Sequence, residues 1–188
     1  MRILVLLLFL CLSAQAAFVS VNIGDSRLQS SHWVSDPSGI VGLSFEAGFF
    51  NEPSNLIDYK LSLDVKRFGY SYDDGDEVVS FWAIGFKPFT WSVTYKKIMF
   101  EAYPSISWIF AWNNVNRAME DHSFDETFDS RRFCLGYGYR LGYYLNDNLF
   151  LGLNADYRMV YWSFHGLHGG EDSWISMGGW GLSAQWNF

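Results

Sequence analysis

Apolar and polar residues alternate with period 2 through most of this chain, the spacing that puts successive side chains on opposite faces of a strand. The clearest run sets Ile57, Tyr59, Leu61, Leu63 and Val65 against Asp58, Lys60, Ser62, Asp64 and Lys66. Seven further runs follow the rule, at about 18–24, 39–50, 78–95, 98–112, 132–145, 149–161 and 174–188. In the fourth run, Trp82, Ile84 and Phe86 do not share parity with Trp91 and Val93, and Pro88 lies between the two sets. Proline has no N–H for the ladder, so a bulge near Lys87-Pro88 is predicted to switch the faces. The predicted fold is all-β: eight antiparallel strands in an up-and-down meander. Three connections are short turns (51–55, 95–98, 146–148), and they alternate with four read as longer.

The final run, Trp174 to Phe188, carries Trp180, Leu182, Ala184, Trp186 and Phe188 on one parity and Gly179, Gly181, Ser183, Gln185 and Asn187 on the other. Such a strand would be a sticky edge in water, but it suits a closed sheet whose apolar face meets lipid. A terminal Phe preceded by alternating apolar residues resembles the C-terminal signature strand of bacterial outer-membrane β-barrels. In architecture the chain is similar to the small eight-stranded barrels of the OmpA transmembrane-domain and OmpX type. The resemblance implies a strand read by the barrel assembly machinery, a location in the outer membrane among lipid and lipopolysaccharide, and a monomer. It also implies short periplasmic turns and longer extracellular loops.

A soluble lipocalin-like barrel has the same period with the faces inverted. Three features favour the transmembrane arrangement. The polar face is crowded with Gly136, Gly138, Gly142, Gly152, Gly179, Gly181 and Ser183, as a narrow lumen requires. Tyr59, Trp112, Tyr143, Tyr161, Trp174 and Trp186 fall near strand ends on the apolar parity, where aromatic girdles sit. The polar face also balances Glu46, Asp58, Asp64, Glu101 and Asp156 against Lys60, Lys66, Lys87, Arg140 and Arg158, the condition for a mutually paired interior. Reflection through the 51–55 turn predicts Glu46 opposite Lys60.

The N-terminus refines this picture. Arg2, the apolar run Ile3 to Leu12 and Ala14-Gln15-Ala16 read as a signal peptide over residues 1–16. The barrel is then residues 17–188. Cys11 leaves with the signal, so Cys134 alone remains and no internal disulfide is expected. The full chain has a formal charge of −7, a sign that argues against a nucleic-acid partner. No later apolar run is long enough for a membrane helix.

Candidate chemistry is sparse. His165 and His168 with Glu171-Asp172 form a weak metal pattern, and Asp73 to Glu77 offers oxygen ligands without full calcium-loop spacing. Both also read as solvated loops, so no metal or cofactor is expected. Lipid A-modifying deacylases and acyltransferases resemble this chain in size and fold. Ser163 and His165 lie at the right end of strand seven for that chemistry, but deacylases of that kind place His before Ser. A narrow ion-conducting pore is the other alternative. The expected role is non-enzymatic: an envelope barrel, its lumen plugged by charge pairs, with acidic loops available to an extracellular ligand.

Overall fold

Strands form wherever the alternation runs, and they outlast it at several ends. The structure, a computed structural model, describes residues 16–30, 38–50, 57–72, 77–113, 133–161 and 174–188. The strands are β1 (Ala16–Ser30), β2 (Ser38–Phe50), β3 (Ile57–Tyr72), β4 (Glu77–Tyr95), β5 (Ile98–Asn113), β6 (Phe133–Tyr144), β7 (Leu149–Tyr161) and β8 (Trp174–Asn187). They close into one barrel in sequence order, with β1 antiparallel to both β2 and β8. Closure removes the exposed edge that β8 would otherwise present. The Phe188 N–H donates to the Ala17 carbonyl (2.8 Å), tying the last residue to β1.

Two connections are described in full. Lys96 and Lys97 turn β4 into β5, with Lys96 in the left-handed region at φ 56°. Between β6 and β7, the Asn146 side-chain oxygen accepts from the backbone N–H groups of Asn148 (2.9 Å) and Leu149 (2.8 Å), a side-chain-closed turn. The 51–55 turn lies outside the described residues. So do the signal peptide up to residue 15, the four histidines, Ser163 and the 165–172 cluster.

The bulge anticipated at Pro88 is present. Lys60 pairs with Thr90 and Ser62 with Lys87, so β4 spends an extra residue there. Before the bulge Ile84 is exposed and Lys87 buried; after it Trp91 is exposed and Ser92 buried. Both apolar sets therefore face outward despite opposite parity. Two further irregularities carry no sequence mark of that kind, between Gly39 and Leu43 on β2 and opposite Trp82–Ala83 on β5. The second changes the phase of β5 at Phe110. Trp112 thus lies beyond the break, opposite Phe81, and is not in phase with the rest of β5 as the alternation predicted.

Three other expectations need correction. Strand one runs on to Ser30 instead of ending at Gly24, because β8 continues to pair with it as far as Ser30↔Ile175. The β3–β4 connection is residues 73–76 alone, since both strands extend beyond the span a membrane requires. Glu46 stands opposite Asp64, and Lys60 opposite Phe50. The hairpin is centred two residues later than the composition of 51–55 indicated. Moving the centre by two shifts each partner by four residues, an even number that preserves the faces while replacing every partner.

Orientation is settled by exposure. Val21, Phe45, Leu63, Leu135, Leu153 and Leu182 lie on the outer surface, while Glu46, Lys60, Asp64, Glu101, Arg140 and Arg158 point inward and are buried. A continuous apolar exterior of this kind belongs in hydrocarbon, so the inverted lipocalin-like arrangement is excluded.

Candidate functional site: the barrel lumen

The lumen is filled in layers. At the end where β1 begins and β8 ends, Phe18, Met99 and Phe150 are buried, and Tyr144 meets Phe150 edge-on at 5.5 Å. At the opposite end Phe68, Phe81, Ile109, Cys134 and Met177 are buried inward. These two apolar layers sandwich a charged middle. The alternation assigned only small and polar residues to the lumen, so the large apolar members of both layers were missed. They share inward parity with the charges, but an aromatic on a strand end reads equally well as a girdle residue.

The charged middle has two clusters. In the one nearer Phe18, Arg140 is the hub. Its Nη2 donates to Glu46 Oε2 (2.7 Å), and its Nη1 donates to Glu101 Oε2 (2.9 Å) and Gln185 Oε1 (3.0 Å). Lys87 Nζ lies 2.8 Å from Glu46 Oε2, and Ser62 Oγ donates to Glu46 Oε1 at 2.6 Å. Lys60 donates to Glu101 and stands 5.3 Å from the Phe18 ring centre. The Lys87 ammonium sits 4.1 Å from the Tyr103 ring centre, a close cation–π contact.

In the second cluster Arg158 is the hub. It donates to Asp64 through Nη2 and to Ser107 Oγ through Nη1 (2.6 Å), with Nε 3.4 Å from Asp156 Oδ2. Lys66 donates to Asp156 and lies 4.7 Å from the Phe68 ring centre. Every carboxylate in both clusters thus faces at least one cation, the condition under which buried charge is tolerated.

The structure therefore brings together Glu46, Lys60, Asp64, Lys66, Lys87, Glu101, Arg140, Asp156 and Arg158, all buried. Asp58 pairs in register with Ser92, and its side chain lies outside the described residues. Partners come from distant strands: Lys60 on β3 reaches Glu101 on β5, and Arg140 on β6 reaches Glu46 on β2. Sequence reasoning, which sought neighbours across hairpins, could not see bonds that cross the lumen. It also missed Tyr103, Ser62 and Ser107, whose inward parity was the available signal.

A cavity of about 10 Å³ lies among Asn22, Ser44, Lys66 and Asn154, room for roughly one water. Among the described residues no group of three or more His, Cys, Asp or Glu is placed to hold a metal ion. The terminal-strand residues Trp180, Leu182, Ala184, Trp186 and Phe188 are all exposed on the outer face.

No protein-family model matches the chain, and no curated protein sequence matches it either. Solved structures do. Neisserial surface protein A superposes with a TM-score of 0.57 at 12% identity, covering 92% of this chain and 99% of that one. The Yersinia pestis outer membrane protein Ail in a nanodisc gives 0.45 at 14% identity, covering 92% and 99%. The Escherichia coli outer membrane protease OmpT gives 0.43 at 7%, covering 94% and 98%. The likeness to Neisserial surface protein A is one of fold alone, and nothing about activity passes from any of the three. The chain has the fold of the small eight-stranded outer-membrane β-barrels.

Proposed function

We propose that this chain is a non-enzymatic, non-conducting barrel of the bacterial outer membrane, a structural or surface-interaction protein of the envelope. The observation that carries this reading is the lumen. Two ionic clusters lie between apolar layers, and among the described residues the cavity beside Lys66 and Asn154 has room for about one water. A solute path would have to break pairs such as Arg140–Glu46 and Arg158–Asp64 deep in the barrel. With the interior committed to packing, recognition falls to the outer connections, where Glu120, Asp121, Asp125, Glu126 and Asp129 concentrate negative charge. The exposed Trp180, Leu182, Trp186 and Phe188 form the strand that the barrel assembly machinery would read.

Planar-bilayer recording tests the plug. The intact chain should give no discrete conductance steps, and reproducible steps would overturn the reading. The enzymatic alternative is tested separately. Lipid A from cells with and without the gene is compared by mass spectrometry and should have the same acyl count. A difference that vanishes in Ser163→Ala or His165→Ala would make the protein a lipid A-modifying enzyme.

A further inference from the structure

One charged pair does not face the lumen. Asp25 and Arg27 have the outward parity of Val19, Val21 and Ile23 on β1, and Arg27 Nε donates to Asp25 Oδ2 at 2.6 Å. The Arg27 side chain is 63% exposed. A cation on the lipid face is costly at mid-membrane and far less so near an interface, so its height matters. Ala17 is level with the C-terminal Phe188, and Arg27 lies ten residues further along β1. A strand rising about 3.3 Å per residue and tilted roughly 40° lifts it about 25 Å, the height of the apolar band. Arg27 therefore reaches the headgroup level of the far leaflet.

At that level the wall is indented. Across β7, β8 and β1 the register runs Tyr157↔Gly178↔Arg27, and one step deeper Ala155↔Trp180↔Asp25. Gly178 thus forms the floor of a slot with Tyr157 on one side, Arg27 on the other and Trp180 at the deep end. The open volume is about 400 Å³. Its walls stand two strand spacings apart, roughly 9–10 Å. Gly178 differs from the lumen glycines. A Cβ there would meet the Asp156 carbonyl oxygen at 3.3 Å and Tyr157 Cδ2 at 3.5 Å, whereas one at Gly181 would press into the β1 backbone, with Gly24 Cα at 2.7 Å. A Cβ at 178 would need the Asp156 backbone to give by only a few tenths of an ångström, and the absent side chain is what keeps the slot open.

The chemistry of the slot matches one occupant. Asp25 holds Nε and so fixes the fork, leaving the terminal Nη donors of Arg27 free of any bond among the described residues. Such a fork suits a phosphate. The Tyr157 and Trp180 rings offer apolar faces with polar tips, as expected where a sugar or the start of an acyl chain meets the interface. We infer that this slot binds a phosphorylated glycolipid of the outer leaflet, its phosphate on Arg27 and its apolar part against Tyr157 and Trp180.

The inference rests on the outer-membrane placement proposed above. The test is native mass spectrometry of the full chain in phosphatidylcholine nanodiscs doped with lipid A or with dephosphorylated lipid A. One retained lipid A per barrel is expected, with dephosphorylated lipid A lost. Arg27→Gln and Gly178→Leu should each lower retention about tenfold or more, the weight of one charge-assisted hydrogen bond. Arg67→Gln, which removes another cation of outward parity on β3, should leave retention unchanged. Equal retention in Arg27→Gln, or of dephosphorylated lipid, would overturn the site. So would a wild-type dimer that Gly178→Leu dissociates, because the slot would then receive a second copy. A chain that entered the nanodisc and kept no lipid would overturn this site alone. One that never entered would overturn the membrane reading with it.

Discussion

The inner wall of the barrel is unequal around its circumference. From β2 through β7 it carries long charged side chains: Glu46, Lys60, Asp64, Lys66, Lys87, Glu101, Arg140, Asp156 and Arg158. Along the β1–β8 seam it carries Ser20, Asn22, Gly24 and Ser26 facing Gly179, Gly181, Ser183 and Gln185, with no inward charge among the described residues. The two walls are complementary in volume. An eight-stranded lumen is just wide enough for side chains to fill, so guanidiniums reaching across from one arc require small residues on the other. The bond from Arg140 to Gln185 spans that divide. The same division explains where the outward Asp25–Arg27 ion pair can occur. β1 spends no inward position on charge, and the charge it does carry, at Asp25 and Arg27, has outward parity.

If the charged arc sets the stability of the interior and the seam only accommodates it, substitutions should rank accordingly. The largest effect belongs to Arg140→Ala, which strips Glu46 and Glu101 of their shared partner. A loss of about 3–5 kcal/mol is expected from removing one partner of a buried ionic network, whose two carboxylates then keep only the cations Lys87 and Lys60, measured by denaturant unfolding in micelles. A loss below about 1 kcal/mol would mean that the arc is not what holds the interior. Next comes Gly181→Val on the seam, whose new atoms meet the Ile23 carbonyl and the Gly24 backbone. Overpacking there should cost about 1–3 kcal/mol, and a neutral result would show the seam to be loosely packed. The smallest effect belongs to Ser183→Ala. Its buried Oγ has no hydrogen-bond partner among the described residues, so the change should stay below the roughly 0.5 kcal/mol that a made bond contributes at minimum. A larger loss would place a hidden polar network along the seam.

Much of this was readable from periodicity. The eight strands, their closure in sequence order and the direction of every described lumen charge follow from counting parity. So does the Pro88 bulge, because the parity switches beside a residue whose missing N–H already interrupts the ladder. The two bulges without such a mark, near Gly39 and Phe110, were not readable. Nor was the Glu46–Asp64 register, because a turn centred two residues further along leaves the face pattern unchanged.

What the sequence alone determined is which side chains share a face, since a strand imposes period 2 whatever surrounds it. What only the closed barrel decided is who meets whom: Lys60 with Glu101, Arg140 with Glu46, Arg158 with Asp64 and Ser107. Those partners lie far apart in the chain and project across a curved wall. Their distances depend on strand tilt and closure, which local alternation does not encode.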